Sequence, residues 1–284
     1  MSALRVLALA LIPALVATVT RPVARPVGRE ATAPPIVTIT AREYAFDAPD
    51  SIASGPTTFR LVSKGKQQHF VGLVKIESPH TLADYRRNLD SPHAEPWLTS
   101  VGGVGTIPPG AVAATTLDLA PGLYAMVCDM EDPHGTPHFK RGMLRALVVL
   151  PKRNDAAMPE PDVTLHLTDY AFTLSTPLTA GSHLVGVRSE GTQPHMVLIW
   201  RLYPGKSGAD VVRWMDDTSS TAPSPVTLIG GTPDLDPGRN AQLVLQLEPG
   251  KYVLICLVDD VRDHKPHYAH GMVRELVVGS ANAQ

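Results

Sequence analysis

The chain has 284 residues, of which 44% are hydrophobic and 18% charged, and its formal net charge is −2. This composition is typical of a globular protein and excludes an intrinsically disordered one, and the length allows two domains of ordinary size. A nucleic-acid-binding protein needs a basic surface, and no basic run is present, so nucleic acid is not an expected partner. The 27 prolines and 22 glycines favour many short strands joined by turns.

The N-terminal segment, residues 1–20, carries one arginine, Arg5, before an apolar run from Val6 to Val19. Such a run is short for a transmembrane helix and has the length of the core of a secretory signal. It predicts an exported protein, periplasmic or extracellular, and an uncleaved anchor that associates with the membrane is the alternative. Residues 21–35, rich in proline and arginine, are expected to form a leader or linker.

The remainder of the chain is an internal duplication. The segment "VTITAREYAF" (37–46) matches "VTLHLTDYAF" (163–172), and residues 101–128 align without gaps with residues 229–256. A repeat of this size is a domain and not a solenoid unit. The duplication therefore predicts domains at 36–150 and 162–279, a linker at 151–161 and a tail at 280–284.

Each repeat has mainly the pattern of β-strands. Apolar and polar residues alternate in four segments, at 57–63, 114–119, 183–189 and 241–247. The segments "LYAMVC" and "KYVLIC" are predicted strands that end at the only two cysteines. One helix is predicted in each repeat, over 81–89 and 208–215. The expected fold is all-β: two tandem Greek-key β-sandwiches, each with a short helical insertion.

Residues that can bind a metal coincide selectively when the two repeats are aligned. Of eleven histidines only two pairs coincide, together with both cysteines and one pair of the eight methionines. Each repeat keeps His, Cys, His and Met in this order: His69, Cys128, His138 and Met143, then His195, Cys256, His267 and Met272. Two imidazoles and a thiolate with a weak axial thioether form the donor set of a type 1 copper centre.

The pattern resembles the cupredoxins, the plastocyanin-like family, over nearly all of residues 36–279. The resemblance rests on a first histidine in "GKQQH" and "GTQPH", on "YAMVC" and "YVLIC", and on His-x4-Met in "HFKRGM" and "HYAHGM". It implies two cupredoxin-like domains with up to two type 1 coppers and single-electron transfer. It also implies a redox protein or a membrane complex as partner.

Two features depart from the family pattern. Nine residues in the first repeat and ten in the second separate the cysteine from the second histidine, more than the family usually has. These inserts contain His134 and His264, which are alternative ligands. Phe70 and Met196 follow the first histidine, where the family usually has Asn, so the surroundings of the metal are expected to differ.

Other interpretations of the same residues are open. Taken singly, a cysteine or methionine at a strand end is a small core residue and a histidine beside proline is a loop residue. On that interpretation the chain is a metal-free structural or interaction subunit on the outer face of a membrane complex. Copper sequestration would use the same ligands as electron transfer.

A two-domain copper oxidase or nitrite reductase is a further alternative, and it needs a second copper centre. A trinuclear centre requires several His-x-His pairs, and the sequence contains none. On this ground an enzyme is not expected. A disulfide between Cys128 and Cys256 would have to join the two repeats and is not expected either.

Overall fold

The computed structural model describes residues 32–91, 95–217, 219 and 221–280. The predicted signal or anchor, most of the leader and the last four residues of the tail lie outside this part of the chain. Within the described residues, no helix has the length and apolarity that crossing a membrane requires. The described residues from Thr32 onward belong to one compact unit.

The first half of this unit contains eight strands and two short helices. The strands are β1 (Ile36–Arg42), β2 (Ala45–Asp47), β3 (Ser51–Ser63), β4 (His69–Ile76), β5 (Leu98–Ile107), β6 (Val112–Leu119), β7 (Gly122–Val127) and β8 (Leu144–Arg153). The helices are α1 (Leu82–Asn88) and α2 (His138–Arg141).

The second half repeats this order of elements. Its strands are β9 (Val163–Thr168), β10 (Ala171–Leu174), β11 (Gly181–Ser189), β12 (His195–Leu202), β13 (Val226–Leu235), β14 (Asn240–Leu247), β15 (Gly250–Ile255) and β16 (Val273–Val278). Its helices are α3 (Gly208–Asp216) and a 3-10 turn (His267–His270).

The strands form two layers, and both layers continue from one half into the other. In one layer β3 and β6 pair with each other, and β6 pairs with β14 of the second half. In the other layer the order is β8-β7-β4-β5-β13-β12-β15-β16, with β5 next to β13. A single cluster of buried side chains from both halves fills the space between the layers. The predicted all-β sandwich architecture is thereby confirmed.

The predicted domain boundaries remain a proposal. Strand β8 continues to Arg153, so it enters the segment that was predicted as a linker. The described part of the chain forms one unit because the two halves share strand pairing in both layers. We therefore refer to a first half and a second half.

Helices α1 and α3 confirm the predicted insertions, and the same capping arrangement fixes their starts. The Thr81 hydroxyl accepts a hydrogen bond from the Asp84 backbone N–H, and the Asp84 carboxylate accepts one from the Thr81 N–H. Ser207 and Asp210 do the same at the start of α3. This reciprocal cap satisfies backbone donors that the first helical turn leaves free. Each helix then covers apolar side chains on the outer face of the second layer.

The strands that begin at the first histidine of each set are irregular. Pairing of β4 with β5 shifts register between His69 and Val71, and pairing of β12 with β13 shifts after His195. Such bulges turn a side chain away from the regular alternation. Opposite the first bulge lies Gly103, whose φ is +155°, and a Cβ there would lie 1.9 Å from the Val71 carbonyl oxygen.

Replacing this glycine tests the close approach. Gly103→Ala should lower the free energy of unfolding by more than about 3 kcal/mol, because the new methyl group overlaps a backbone carbonyl. Gly110 has φ +78° with nothing within 4 Å of an added Cβ. Gly110→Ala is therefore a matched control that should cost only about 1–2 kcal/mol. Urea denaturation measures the free energy of unfolding of both variants. Equal losses would contradict the inferred overlap between the new methyl group and the Val71 carbonyl oxygen.

Candidate metal centres

Three of the four predicted ligands of the first half meet in the core. His69 is the first residue of β4, Cys128 directly follows β7, and His138 is the first residue of α2. One nitrogen of each imidazole and the Cys128 sulfur lie within 4.8 Å of one another. All three side chains are 0% exposed. The sequence pattern therefore identified residues that the fold brings to one point.

Met143, the fourth predicted residue, is tied to the same point through its backbone. Its carbonyl accepts a hydrogen bond of 3.2 Å from the Cys128 N–H, and its N–H donates one of 3.0 Å to the His138 carbonyl. The His138 N–H in turn donates to the Met130 carbonyl at 2.8 Å. The side chain of Met143 is fully buried. The insert between Cys128 and His138 thus returns the chain to the cysteine.

The second half builds the same arrangement. His195, Cys256 and His267 each offer one donor atom within 4.8 Å of the others, and all three are 0% exposed. The Met272 carbonyl accepts from the Cys256 N–H at 3.2 Å, and the Met272 N–H donates to the His267 carbonyl at 3.0 Å. Two copies of one backbone framework therefore hold two copies of the His-Cys-His-Met set.

The distances between donor atoms suit a shared metal ion. Bonds of roughly 2.0–2.3 Å to one ion at angles of about 100–120° place donor atoms about 3.1–3.8 Å apart. The Cys128 Sγ lies 3.6 Å from His138 Nδ1, and the Cys256 Sγ lies 3.4 Å from His267 Nδ1. The two Nδ1 atoms of His195 and His267 are 3.1 Å apart. All three separations fall within that range.

Three imidazole nitrogens of the two clusters lack the partners that buried groups normally have. Neither ring nitrogen of His69 has a hydrogen-bond partner, nor has Nε2 of His267. Unpartnered buried polar atoms are uncommon and costly. Burial also raises the pKa of the Cys128 and Cys256 thiols to about 12. A soft cation would bind one nitrogen of each imidazole through its lone pair and displace the thiol proton, so the donor set fits copper.

Backbone N–H groups face the cysteine sulfurs. The Met196 N–H donates to Cys256 Sγ at 3.4 Å. In the first half the N–H groups of Phe70 and Met130 lower the pKa of Cys128, against the larger opposite effect of burial. Phe70 and Met196 stand where the resembled family usually has Asn. Both residues interact with the cysteine sulfur through the backbone N–H, so this interaction does not need an amide side chain.

A glutamine and a tyrosine surround the second histidine of the first half. His138 Nε2 lies 3.0 Å from Gln67 Oε1, and the Gln67 amide donates to the Tyr44 hydroxyl at 2.9 Å. The Tyr44 ring also stands edge-on to the His138 ring, 5.1 Å away. Tyr44 has a φ of +63°, which non-glycine residues adopt rarely. The contacts of its ring and hydroxyl hold it in this conformation.

The second half repeats this pair with Gln193 and Tyr170, and Tyr170 has a φ of +64°. The Gln193 amide donates to the Tyr170 hydroxyl at 3.0 Å and to Asp260 at 2.9 Å. The Asp260 carboxylate also accepts from the Arg262 guanidinium, which leaves it fully occupied. The hydrogen bonds to Arg262, Tyr170 and Gln193 hold the pKa of Asp260 far below its usual range.

The first histidines of the two halves differ in their carboxylate partner. His195 Nε2–H donates to Asp169 Oδ1 at 3.0 Å. At the equivalent place in the first half, the Glu43 carboxylate accepts from the Lys66 and Gln67 backbone N–H groups, and His69 makes no hydrogen bond. A carboxylate on the outer nitrogen fixes the tautomer and raises the basicity of a metal-binding histidine. Only the second centre has this feature.

The alternative ligands stay outside both clusters. His134 and His264 are exposed, and His270 pairs with Asp263 through its Nε2 at 3.0 Å. A third group of acidic and histidine side chains, made of Asp260, Asp263 and His270, also lies within coordination distance. Its Asp260 is already occupied by the donors described above, so this group does not form a comparable site.

The sequence interpretation missed the residues around the ligands, although the duplication contained a signal for them. Tyr44 aligns with Tyr170 in "EYAF" and "DYAF", and Gln67 aligns with Gln193 two residues before the first histidine. Our comparison considered only His, Cys and Met, and so passed over coincident neutral polar residues. The same comparison extended to Tyr and Gln would have found them.

No protein-family model and no curated protein matches this chain. Among solved structures, dithionite-reduced auracyanin from Roseiflexus castenholzii is 21% identical over 42% of this chain and 100% of its own, with a TM-score of 0.31. Copper nitrite reductase from Nitrosomonas europaea is 16% identical over 88% of this chain and 95% of its own, with a TM-score of 0.26. A multicopper oxidase covers 86% of this chain at 14% identity and a TM-score of 0.26.

The described strands form the two-layered β-sandwich that the predicted cupredoxin-like fold requires. The auracyanins span about one half of the chain, whereas the nitrite reductases and oxidases span most of it. At these identities the likeness concerns the fold alone. The ligand geometry described above comes from this chain's own residues.

The expectation that the chain is not an enzyme is wrong as stated. Solved structures that cover 85–89% of it include two copper nitrite reductases, a multicopper oxidase and a blue copper oxidase, which are enzymes. The expectation rested on the absence of His-x-His pairs. That absence argues against a trinuclear copper cluster only. It does not exclude other kinds of catalytic centre.

Burial of the cysteines generates a test that needs no metal. Both thiols are free, fully buried and shifted to a pKa of about 12, so a thiol reagent at pH 8 should label neither in the folded metal-free protein. After unfolding in guanidinium chloride, both should react. Rapid labelling of the folded protein, or fewer than two reactive thiols after unfolding, would contradict the arrangement.

Proposed function

We propose that the chain binds copper at two type 1 centres and transfers single electrons. His69, Cys128, His138 and Met143 would hold one ion, and His195, Cys256, His267 and Met272 the other. The observation that carries the proposal is the pair of fully buried His-Cys-His clusters, whose donor atoms lie at the separations that one shared metal ion requires. A metal-free interaction subunit would have no use for two such clusters, since filling them with apolar side chains would avoid the cost of burying polar groups.

Bound copper would supply a one-electron couple between Cu(II) and Cu(I). The protein's part is to hold the donors in place and to exclude water. Both histidines and the cysteine of each set are 0% exposed, and the backbone hydrogen bonds of Met143 and Met272 fix the loop that carries three of the donors. A rigid donor set between the preferences of the two oxidation states requires little rearrangement when an electron moves.

Visible absorption tests the metal assignment. The metal-free protein titrated with Cu(II) should develop an intense thiolate-to-copper band and bind two ions per chain. The double variant Cys128→Ser and Cys256→Ser should lose the band, because the thiolate is its source. Each single variant should retain one centre.

The variant His134→Ala is the matched control, because it removes an exposed histidine from the same insert. It should leave the band intact. A protein that stays colourless and binds no copper would sink the proposal. Retention of the band in the double cysteine variant would do the same.

The two centres should differ in reduction potential. Asp169 accepts a hydrogen bond from His195, whereas Glu43 acts on His69 by charge alone, and the bonded carboxylate stabilises the more positive Cu(II) form more strongly. The centre of the second half, isolated in Cys128→Ser, should therefore have a lower potential than that of the first half, isolated in Cys256→Ser. In Cys128→Ser, the further change Asp169→Asn should raise it.

Redox titration followed by the visible band measures these potentials. Glu190→Gln provides the control, because Glu190 forms a similar carboxylate–histidine pair with His166, which is not a predicted ligand. It should leave the potential unchanged. Equal potentials in the two single-centre variants, or no response to Asp169→Asn, would contradict the role given to this carboxylate.

Catalysis is tested with the same copper-loaded protein. Two of the fold neighbours are copper nitrite reductases, so reduction of nitrite and of dioxygen with a chemical electron donor is the direct assay. Catalytic reduction of either compound would show that the chain is an enzyme. Absence of turnover alongside intact reduction of copper would limit the function to electron transfer.

We also propose that the chain acts outside the cytoplasm, with a redox protein or a membrane complex as partner. The support is the apolar run from Val6 to Val19, which suits a secretory signal. Fractionation of cells that express the chain should recover it in the exported fraction. Recovery of the intact chain from the cytoplasm would refute export, and recovery with membranes and Met1 retained would favour the anchor.

A further inference from the structure

The residue two positions before the first histidine is a glutamine in both halves, Gln67 and Gln193, and the two make different contacts. Gln67 reaches the second histidine of its own centre, because its Oε1 lies 3.0 Å from His138 Nε2. Within the described part of the chain, the hydrogen bonds of Gln193 go to other partners, and none joins it to the equivalent ligand His267. The duplicated glutamine therefore has a different role in each centre.

The contact with Gln67 decides which ring nitrogen of His138 carries the proton. An amide oxygen can only accept a hydrogen bond, so the Nε2–H of His138 donates it. His138 is fully buried, which favours the neutral ring with a single N–H. The other ring nitrogen, Nδ1, is then unprotonated and lies 3.6 Å from Cys128 Sγ. Gln67 thus leaves a lone pair of His138 facing the cysteine with which it would share a metal ion.

The second half supports this orientation of the Gln67 amide. Gln193 Oε1 accepts from the Val261 N–H at 3.0 Å, and Gln193 Nε2 donates to the Asp260 carboxylate at 2.9 Å. A backbone N–H can only donate and an ionised carboxylate can only accept, so these partners fix the Gln193 amide. In both halves the amide nitrogen also donates to the aligned tyrosine hydroxyl. The same orientation in the first half leaves Gln67 Oε1 free to accept from His138.

The inserts explain why Gln193 is drawn away from its histidine. Asp132 and Asp260 both stand four residues after the cysteine of their half. Asp132 accepts from N–H groups of its own insert, whereas Asp260 accepts from Gln193. The second centre fixes its other imidazole instead, since His195 Nε2–H donates to Asp169. Each centre therefore has one imidazole whose proton is fixed on the outer nitrogen, by an amide in the first and a carboxylate in the second.

We propose that Gln67 is a positioning residue of the first copper centre, where it selects the form of His138 that binds the metal through Nδ1. The inference rests on the proposed copper site and adds a residue that is not itself a ligand. Partners on the outer nitrogen of a metal-binding histidine typically change metal affinity by about 10–100-fold. Gln193 has no such role, because Asp169 provides the fixed imidazole of the second centre.

Nitrogen NMR of the metal-free full chain at pH 8 tests the position of the proton without copper. Protonated and unprotonated ring nitrogens give separate resonances, and those of His138 are assigned by their loss in His138→Gln. The unaltered chain should carry the proton of His138 on Nε2. Gln67→Leu removes the acceptor, so the form with the proton on Nδ1 should appear, with Cys128 Sγ as its remaining partner. Gln67→Glu keeps an acceptor oxygen and should retain the proton on Nε2.

Copper affinity provides the second measurement, in Cys256→Ser so that only the first centre remains. Gln67→Leu should weaken Cu(II) binding at least tenfold, because the competing form of His138 blocks Nδ1. Gln67→Glu should restore the affinity and lower the reduction potential, since a carboxylate stabilises Cu(II). Gln68→Leu is the matched control, the same substitution at the adjacent exposed residue, and should leave the affinity and the proton position unchanged.

A proton on Nδ1 of His138 in the unaltered metal-free chain would overturn the proposal. An unchanged proton position together with unchanged copper affinity in Gln67→Leu would do the same. Either result beside normal copper binding would refute the role of Gln67 alone. Failure of the unaltered chain to bind copper would instead refute the proposed function, and with it the copper role of Gln67.

Discussion

The structure depends on a loop that closes back on its own cysteine. The Cys128 N–H donates to the Met143 carbonyl, and the Met143 N–H donates to the carbonyl of His138. These bonds bring three residues from a stretch of chain to one buried point, where His69 meets them from the start of β4. The long insert is accommodated because its own N–H groups find acceptors, such as Asp132 for His134 and Thr136. Lengthening the loop has therefore not displaced the ligands.

Duplication places two such loops in one continuous core. The second half repeats the backbone bonds of Met272, and pairing of β5 with β13 and of β6 with β14 joins the layers. The halves nevertheless differ at the outer nitrogen of the first histidine, where Asp169 is bonded and Glu43 is not. The same framework thus presents two chemically different centres.

Much of the fold and the ligand set could be predicted from the sequence, because both are expressed in local patterns. Alternation and turn residues predicted the strands, and the helices at Leu82–Asn88 and Gly208–Asp216 begin at the caps Thr81 and Ser207. The helical turns at His138 and His267 were missed, since each has only four residues and follows a proline. Shared strand pairing, which joins the halves into one unit, is long-range and has no sequence period. The roles of Asp169 and Gln67 depend on contacts between distant segments.

The central claim is that each half holds one metal ion through a cysteine and two histidines. X-ray absorption at the copper edge tests it most directly, because the fine structure counts the neighbouring atoms by element. Copper-loaded protein should contain two ions per chain, each with one short bond to sulfur and two to imidazole nitrogen. Spectra with nitrogen and oxygen neighbours only, or fewer than two ions per chain, would contradict the account.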